Sequence, residues 1–283
     1  MFKKSFFVFL FLIGNLHPGF AQKTVKQDES CYLCKNGEHK SESPYKYGFK
    51  KELPFLITSA GFISAGLIIK YTDNTNPFTV DQLSLLNRNT VNSFDRRATY
   101  NWNVSAQNAS NIMMVGIAFL PALFLTNHHT RCDIWPILVM GLEVASITYG
   151  ATASTKFAVD RTRPYVYNTD LSVEQRTDKI SRSSFFSGHT SFTAAFSFFF
   201  AKVISDYHPN MRTGIKIGVW VFAAGFPAGV ASLRVIGGKH FRTDVIAGYA
   251  IGALTGWLIP QLHKKKQEGY SLSVYPSYQD GVS

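Results

Sequence analysis

Cysteine is scarce in this chain of 283 residues, with three in all. Cys31 and Cys34 form a Cys-x-x-Cys pair, and Cys132 stands alone. No strand–helix pattern of the thioredoxin kind surrounds the pair, so a small local disulfide is its expected state. A zinc site built on the pair and His39 lacks a fourth ligand. Acidic residues are also few, 18 against 29 Lys and Arg, which leaves a formal charge of +11. A nucleic-acid-binding domain would gather that charge on one face or arm. Here it is divided among 35–51, the polar regions around 156–163 and 234–240, and the run Lys264 to Lys266. Anion binding and lysines flanking a membrane account for this spread, and no nucleic-acid partner is expected. No repeat of long period is visible.

What the chain has in quantity is apolar surface, at 46% hydrophobic and 14% aromatic residues. The start, Met1-Phe-Lys-Lys followed by large apolar residues over 6–13, reads as a secretory signal cut after Ala21, or else as an uncleaved anchor. Either reading addresses the chain to the cell envelope. The first cysteine lies well past that cut, which gives no support for a lipoprotein anchor. The expected layout is a leader over 1–21, a polar arm over 22–52, a helical domain over 53–262 and a basic or polar tail over 263–283. Six apolar runs, each about 15 to 19 residues long, fall at 53–71, 111–126, 135–153, 190–204, 215–231 and 245–260. These lengths sit at or just under what a bilayer requires. The expected fold is all-α, a membrane-associated bundle of about six apolar helices. Gly248, Gly252 and Gly256 recur every four residues and make one small face for close helix packing. A cleaved leader and three crossings would turn the loop after Lys156 inward, so one run is expected not to cross, or the leader to stay, or the bundle to be wholly periplasmic. The favoured arrangement has a site facing the periplasm or exterior.

Three separated stretches place anion-binding or proton-handling groups beside these runs. They are Lys156-Phe-Ala-Val-Asp-Arg-Thr-Arg163-Pro164, then Ser187-Gly188-His189, then Arg234, His240 and Asp244 at spacings of six and four. Taken singly, each has a plain reading: solvated cations at a helix end, an ordinary N-cap, a surface pair one turn apart. Their order and spacing together resemble the signature of the type 2 phosphatidic acid phosphatase family. That superfamily also holds bacterial acid phosphatases and vanadium haloperoxidases. Its pattern reads Lys-x6-Arg-Pro, Pro-Ser-Gly-His, and Ser-Arg-x5-His-x3-Asp. The charged and histidine positions all match, while Phe186 replaces a Pro and Leu233 a Ser. The likeness covers roughly 142–260.

The resemblance implies a metal-independent phosphatase acting on a phosphomonoester or diphosphate, with no cofactor. His240 would be the nucleophile forming a phosphohistidine, His189 the general acid, and Lys156, Arg163 and Arg234 the phosphate clamp. Ser187 and Gly188 would cradle oxyanions at a helix start. Asp244 would take a hydrogen bond from the His240 ring and fix its tautomer. Lys156 and Arg163 would share a face if one helix persisted between them, although Pro164 favours its ending there. The apolar content favours a lipid phosphate and a membrane as partners. A small phosphate ester, a vanadate cofactor in a haloperoxidase, or head-group binding without turnover are the alternatives. Arg161 and Arg182 are expected to be solvated, and Glu143 to be functional or packed.

Overall fold

The structure, a computed structural model, describes residues 43–46, 48, 53, 57–64, 68 and 77–265, all within the unit Ser41–Ser283. The expected leader, the Cys31/Cys34 pair and the tail beyond 265 lie outside the described residues, as do nine of the nineteen residues of the run at 53–71. Among the described residues there is no sheet. Tyr45 and Lys264 make an isolated bridge. Among the described residues five helices reach 15 residues or more: α1 (Val104–Ala118), α2 (Ile134–Val159), α3 (Gly188–Tyr207), α4 (Thr213–Ile236) and α5 (Arg242–His263). Short helical turns join them, including Ser93–Arg96 and Arg97–Tyr100 ahead of α1 and Pro164–Tyr167 between α2 and α3.

The centre is α3, which packs against α1, α2, α4 and α5. Its closest neighbour is α5. A Cβ at Gly252 would stand 2.0 Å from the Ser191 carbonyl oxygen, and one at Gly256 2.0 Å from that of Ala195. Only hydrogen at those positions lets the backbones come so near, which is the use expected of the small face. Around this seam Phe124, Ile137, Met140, Val144, Phe199 and Val203 close the apolar core.

Among the described residues four segments are long and apolar enough to cross a membrane: Val104–Leu125, Ile134–Tyr167, Thr213–Ile236 and Arg242–His263. The Phe-rich run expected as another crossing is instead the buried axis of the bundle. The reason is chemical: α3 interleaves its phenyl rings with Thr190, Ser191, Thr193, Ser197 and Lys202, all buried. Thr193 returns its hydroxyl to the His189 carbonyl oxygen at 2.8 Å and Ser191 to that of Gly188 at 3.1 Å, so these two hydroxyls are satisfied inside the helix. The helices around it turn large apolar side chains outward. Ile112 on α1 and Trp135 on α2 are each 71% exposed. Helices that run alternately up and down bring the end of α2, the start of α3, the end of α4 and the start of α5 to one end of the bundle.

Candidate active site

Each of the three stretches is shaped by a helix end. α2 stops because Asp160 turns left-handed, with φ of 43°, an uncommon conformation for a residue carrying a Cβ. Lys156 stays in its last turn, while Arg163 is extended ahead of Pro164, with φ −77° and ψ 151°. The two therefore do not share a helical face. Arg163 is held separately: its amide donates to Ser181 O at 2.8 Å, and Nη2 to Ser183 O at 3.2 Å.

Ser187 is the N-cap of α3, and its Oγ accepts from the Thr190 amide at 3.4 Å. Its own amide donates to the Asp244 carbonyl oxygen at 3.0 Å, which ties the start of α3 to that of α5. Gly188 opens the helix where a Cβ would press on Thr152 Cγ2 at 3.2 Å. Phe186 is buried edge-on to Phe185, so the residue that stands in place of a Pro acts as packing. Past Arg234 the chain reverses through Gly238, whose φ is +71° and whose added Cβ would lie 2.1 Å from Asn101 O. That turn returns His240 beside Arg234, with the His240 amide donating to Arg234 O at 3.3 Å.

His240 is 1% exposed. Its Nδ1 lies 2.8 Å from the Ser184 carbonyl oxygen and 3.6 Å from Asp244 Oδ2. A carbonyl only accepts, so Nδ1 carries the proton. The nearest acceptor for the ring is thus Ser184 O rather than Asp244. The expected one-turn relation fails because His240 precedes the first residue of α5. Asp244 instead caps that helix through the Phe241 amide at 2.9 Å and takes the Ser184 hydroxyl at 2.5 Å. It orders the nucleophile candidate through Ser184.

Burial, first, holds the His240 ring well below the usual histidine range, and then Arg163, Lys156, Arg234 and His189 add to the effect. A neutral ring with its proton on Nδ1 leaves a lone pair on Nε2. His189 is lowered to about 3 by burial and by Arg234, Arg163 and Lys156. Lys156, Arg163, Arg234 and the two imidazoles therefore share one field. Arg163 and Arg234 are 4% and 5% exposed, and the Nε of each is buried with no hydrogen-bond partner. Buried donors without partners are costly, and a bound anion would relieve them.

Several groups at the site carry no signal in the motifs. Arg161 is not a solvated extra. It donates to Asp244 Oδ1 at 2.5 Å and to Asp95 Oδ2 at 2.8 Å, and its guanidinium lies 4.3 Å from the Phe241 ring centroid. Asp95 is fully buried and also takes the Thr243 amide at 3.0 Å and its hydroxyl at 2.6 Å. Lys239 stands over the rings of Trp102 and Tyr165 at 5.0 and 4.5 Å, lowered to about 8 by burial and by Arg163 and Arg234. Arg182 reaches Asp160 at 3.4 Å at the surface, while Glu143, fully buried at the far end, faces His263 at 3.5 Å. Among the described residues no group of three or more His, Cys, Asp or Glu is placed to hold a metal ion.

Residues 134–268 match the profile of the PAP2 superfamily. The match covers just under half of the chain. A non-specific acid phosphatase of Salmonella typhi is 29% identical over 157 residues, 54% of this chain and 57% of that relative. The chain thus spans little more than half the length of the curated relative it matches. Among solved structures, a transmembrane PAP2-type phosphatidylglycerolphosphate phosphatase from Bacillus subtilis aligns with 77% of this chain and 96% of its own, at 21% identity and a TM-score of 0.44. The PAP2 segment contains all three motif stretches. Asp95, Trp102, Ser110 and Asn111 lie outside it and complete the same end of the bundle.

Proposed function

We propose that the chain is a phosphatase that cleaves a phosphomonoester or diphosphate without a metal, through a phosphohistidine on His240. The observation that carries this is the state of the His240 ring: buried, neutral, its Nδ1 proton committed to Ser184 O, and its Nε2 lone pair in the field of three cations. Such a ring is a nucleophile ready to act without a separate base. Lys156, Arg163 and Arg234 hold the phosphoryl oxygens, the two arginines offering their unpartnered Nε groups. Charge neutralisation and alignment are most of what this transfer requires of a protein. The Ser187 and Gly188 turn adds the start of α3 to the cage.

In the first step Nε2 of His240 bonds to phosphorus, and the bond from phosphorus to the ester oxygen breaks. His189 gives that oxygen a proton. Burial is the larger cause of the low His189 pKa and the three cations the next; a dianion among the cations offsets their part and adds its own attraction for the proton, which raises the ring's pKa as substrate binds. In the second step His189 takes a proton from water, whose oxygen attacks phosphorus and frees His240 and phosphate. Asp244 keeps Ser184 in place throughout.

The substrate we favour is a lipid phosphate or diphosphate, taken from a membrane crossed by the four apolar segments, at a site on the periplasmic or outer face. The outward-turned Ile112 and Trp135 suit such a surface. A small phosphate ester is the second reading, favoured by the acid phosphatase relative. Purified full-length protein in detergent, with chelator present, should release phosphate from a panel of alkyl phosphates, alkyl diphosphates and small esters. His240→Ala should abolish release and leave no acid-labile phosphate on the protein. Hydrolysis that survives in His240→Ala removes the assignment.

A further inference from the structure

α1 is an apolar helix that carries one polar edge. Gln107, Ser110 and Asn111 stand at spacings of three and four and so share a face. Each reaches the end of α4 or the start of α3. Gln107 Nε2 donates to Gly237 O at 2.8 Å. Ser110 Oγ, fully buried, gives its proton to Gln107 O at 2.7 Å and accepts from Arg234 Nη1 at 3.2 Å. Asn111 Oδ1 lies 3.3 Å from Arg234 Nη1 and 2.8 Å from His189 Nε2. None of this face falls in the PAP2 segment.

The chemistry of that oxygen is decided by its neighbours. An arginine only donates, so the Asn111 atom it meets is the amide oxygen, whichever way the amide is first placed. The same oxygen is the partner of His189 Nε2, and an oxygen acceptor demands a proton there. His189 is therefore held as the Nε2–H tautomer, and Nδ1 is the nitrogen left to exchange a proton with a substrate. The one amide oxygen also fixes the distance between the proton donor and a clamp arginine.

We propose that Asn111 is a positioning residue that sets the tautomer of His189 and couples it to Arg234, with Ser110 as the second support of that arginine. This rests on the phosphatase reading, in which His189 protonates the leaving oxygen. It deepens that reading by giving the general acid a partner outside the three motifs.

The test uses leaving groups. An alkyl phosphate leaves as a poor alkoxide and needs the proton, whereas 4-nitrophenyl phosphate leaves readily and does not. Asn111→Leu removes the acceptor at similar volume. Its kcat/KM should fall by about tenfold to a hundredfold on the alkyl ester and by under about fivefold on the aryl ester, a share of what general-acid catalysis supplies. Asn111→Asp, which keeps an oxygen acceptor, should restore the ratio of the two rates. Asn111→Leu combined with His189→Ala should lose no more alkyl activity than His189→Ala alone. Equal losses on both esters, or none, would overturn the proposal and leave only a structural role for Asn111. Full-length protein labelled with 15N-histidine gives a readout independent of turnover. His189, assigned by its absence in His189→Ala, should show a protonated Nε2. An unprotonated Nε2 refutes the proposal even if Asn111→Leu fails to fold. Should the wild type release phosphate from neither ester while the tautomer is as stated, the phosphatase reading fails and the Asn111 contact stands.

Discussion

Arg161→Leu should be among the most damaging single changes outside the motif positions. The guanidinium serves two carboxylates at once, Asp95 and Asp244, both fully buried, and is itself 23% exposed. Removing one partner of a buried ion pair costs about 3–5 kcal/mol, mostly because the charge left behind has lost its compensation. Here each carboxylate keeps some support. Asp95 retains the Thr243 amide and hydroxyl and Asn92 Nδ2, and Asp244 retains Ser184 Oγ and the Phe241 amide. The lower end, about 3 kcal/mol, is therefore the expected loss. For a domain of this size that is a fall in Tm of about 6–12 °C, read from a thiol-reactive dye melt in detergent. Arg161→Lys keeps one cation without the fork and should fall between. Asp95→Asn in the Arg161→Leu background removes one stranded charge, so the double variant should be more stable than the sum of the singles predicts. Activity should fall with stability, because Asp244 holds the Ser184 hydroxyl and Ser184 O holds the His240 ring. Arg161→Leu with an unchanged melt, or a strictly additive double variant, would refute the network as described.

The folded His240 pKa lies below its unfolded value of about 6.5, so the unfolded chain binds more protons below that pH and stability rises with pH across the window. Without phosphate, unfolding free energy should drop as pH falls from about 6.5, by about 1.4 kcal/mol per unit of pH for this ring, with Tm falling alongside it, and His240→Asn should reduce the slope to what His189 leaves. A wild-type melt flat from pH 7 to 5 would count against a buried neutral ring. Gly252→Ala should prevent stable folding, although alanine is the better helix former by about 1 kcal/mol, because its Cβ would meet the Ser191 carbonyl oxygen at 2.0 Å. A variant as stable as wild type would show that α3 and α5 do not pack this closely. Lys239, lowered to about 8, loses its charge as pH rises through that value. Competitive inhibition by inorganic phosphate should weaken above pH 8 in the wild type and lose that step in Lys239→Met, and an identical profile in both would remove Lys239 from the anion field.

How far the sequence could be read depended on whether a contact leaves a local pattern. Apolar runs announce helices, and five of the six runs coincide with α1 to α5, because a helix that faces core or lipid must be apolar over its length. The motif spacings brought the right side chains to attention, because each belongs to a helix end that the spacing itself marks. The fate of α3 was less legible. Its phenylalanines make it an apolar run, but it falls short of the mean hydropathy of the four spanning candidates, and the hydroxyls between the rings mark the faces that meet other helices. Asp95 and Asn111 left no trace. One Asp among others in a polar stretch and one of two Asn in a helix mark no periodicity, and their partners lie 66 and 78 residues away.

The same contrast explains how the end of the bundle divides its labour. The motif residues would meet the anion, and Lys156, Ser187, Gly188, His189, Arg234 and His240 sit at ends of α2, α3 and α4 or just before α5, where orphan backbone groups and side chains point the same way. Cations gathered at that density repel one another and depress both imidazoles, so the arrangement is unstable on its own terms. What opposes that repulsion is supplied from outside the motifs. Asp95 balances Arg161 from the short turns before α1, and α1 supplies acceptors to Arg234 through Ser110 and Asn111. One carboxylate and two neutral oxygens hold the frame while leaving Arg163 Nε and Arg234 Nε without partners. Further carboxylates there would pair with the cations and compete with an incoming anion. Neutral acceptors orient the cations without spending their charge, so the field remains for the ligand.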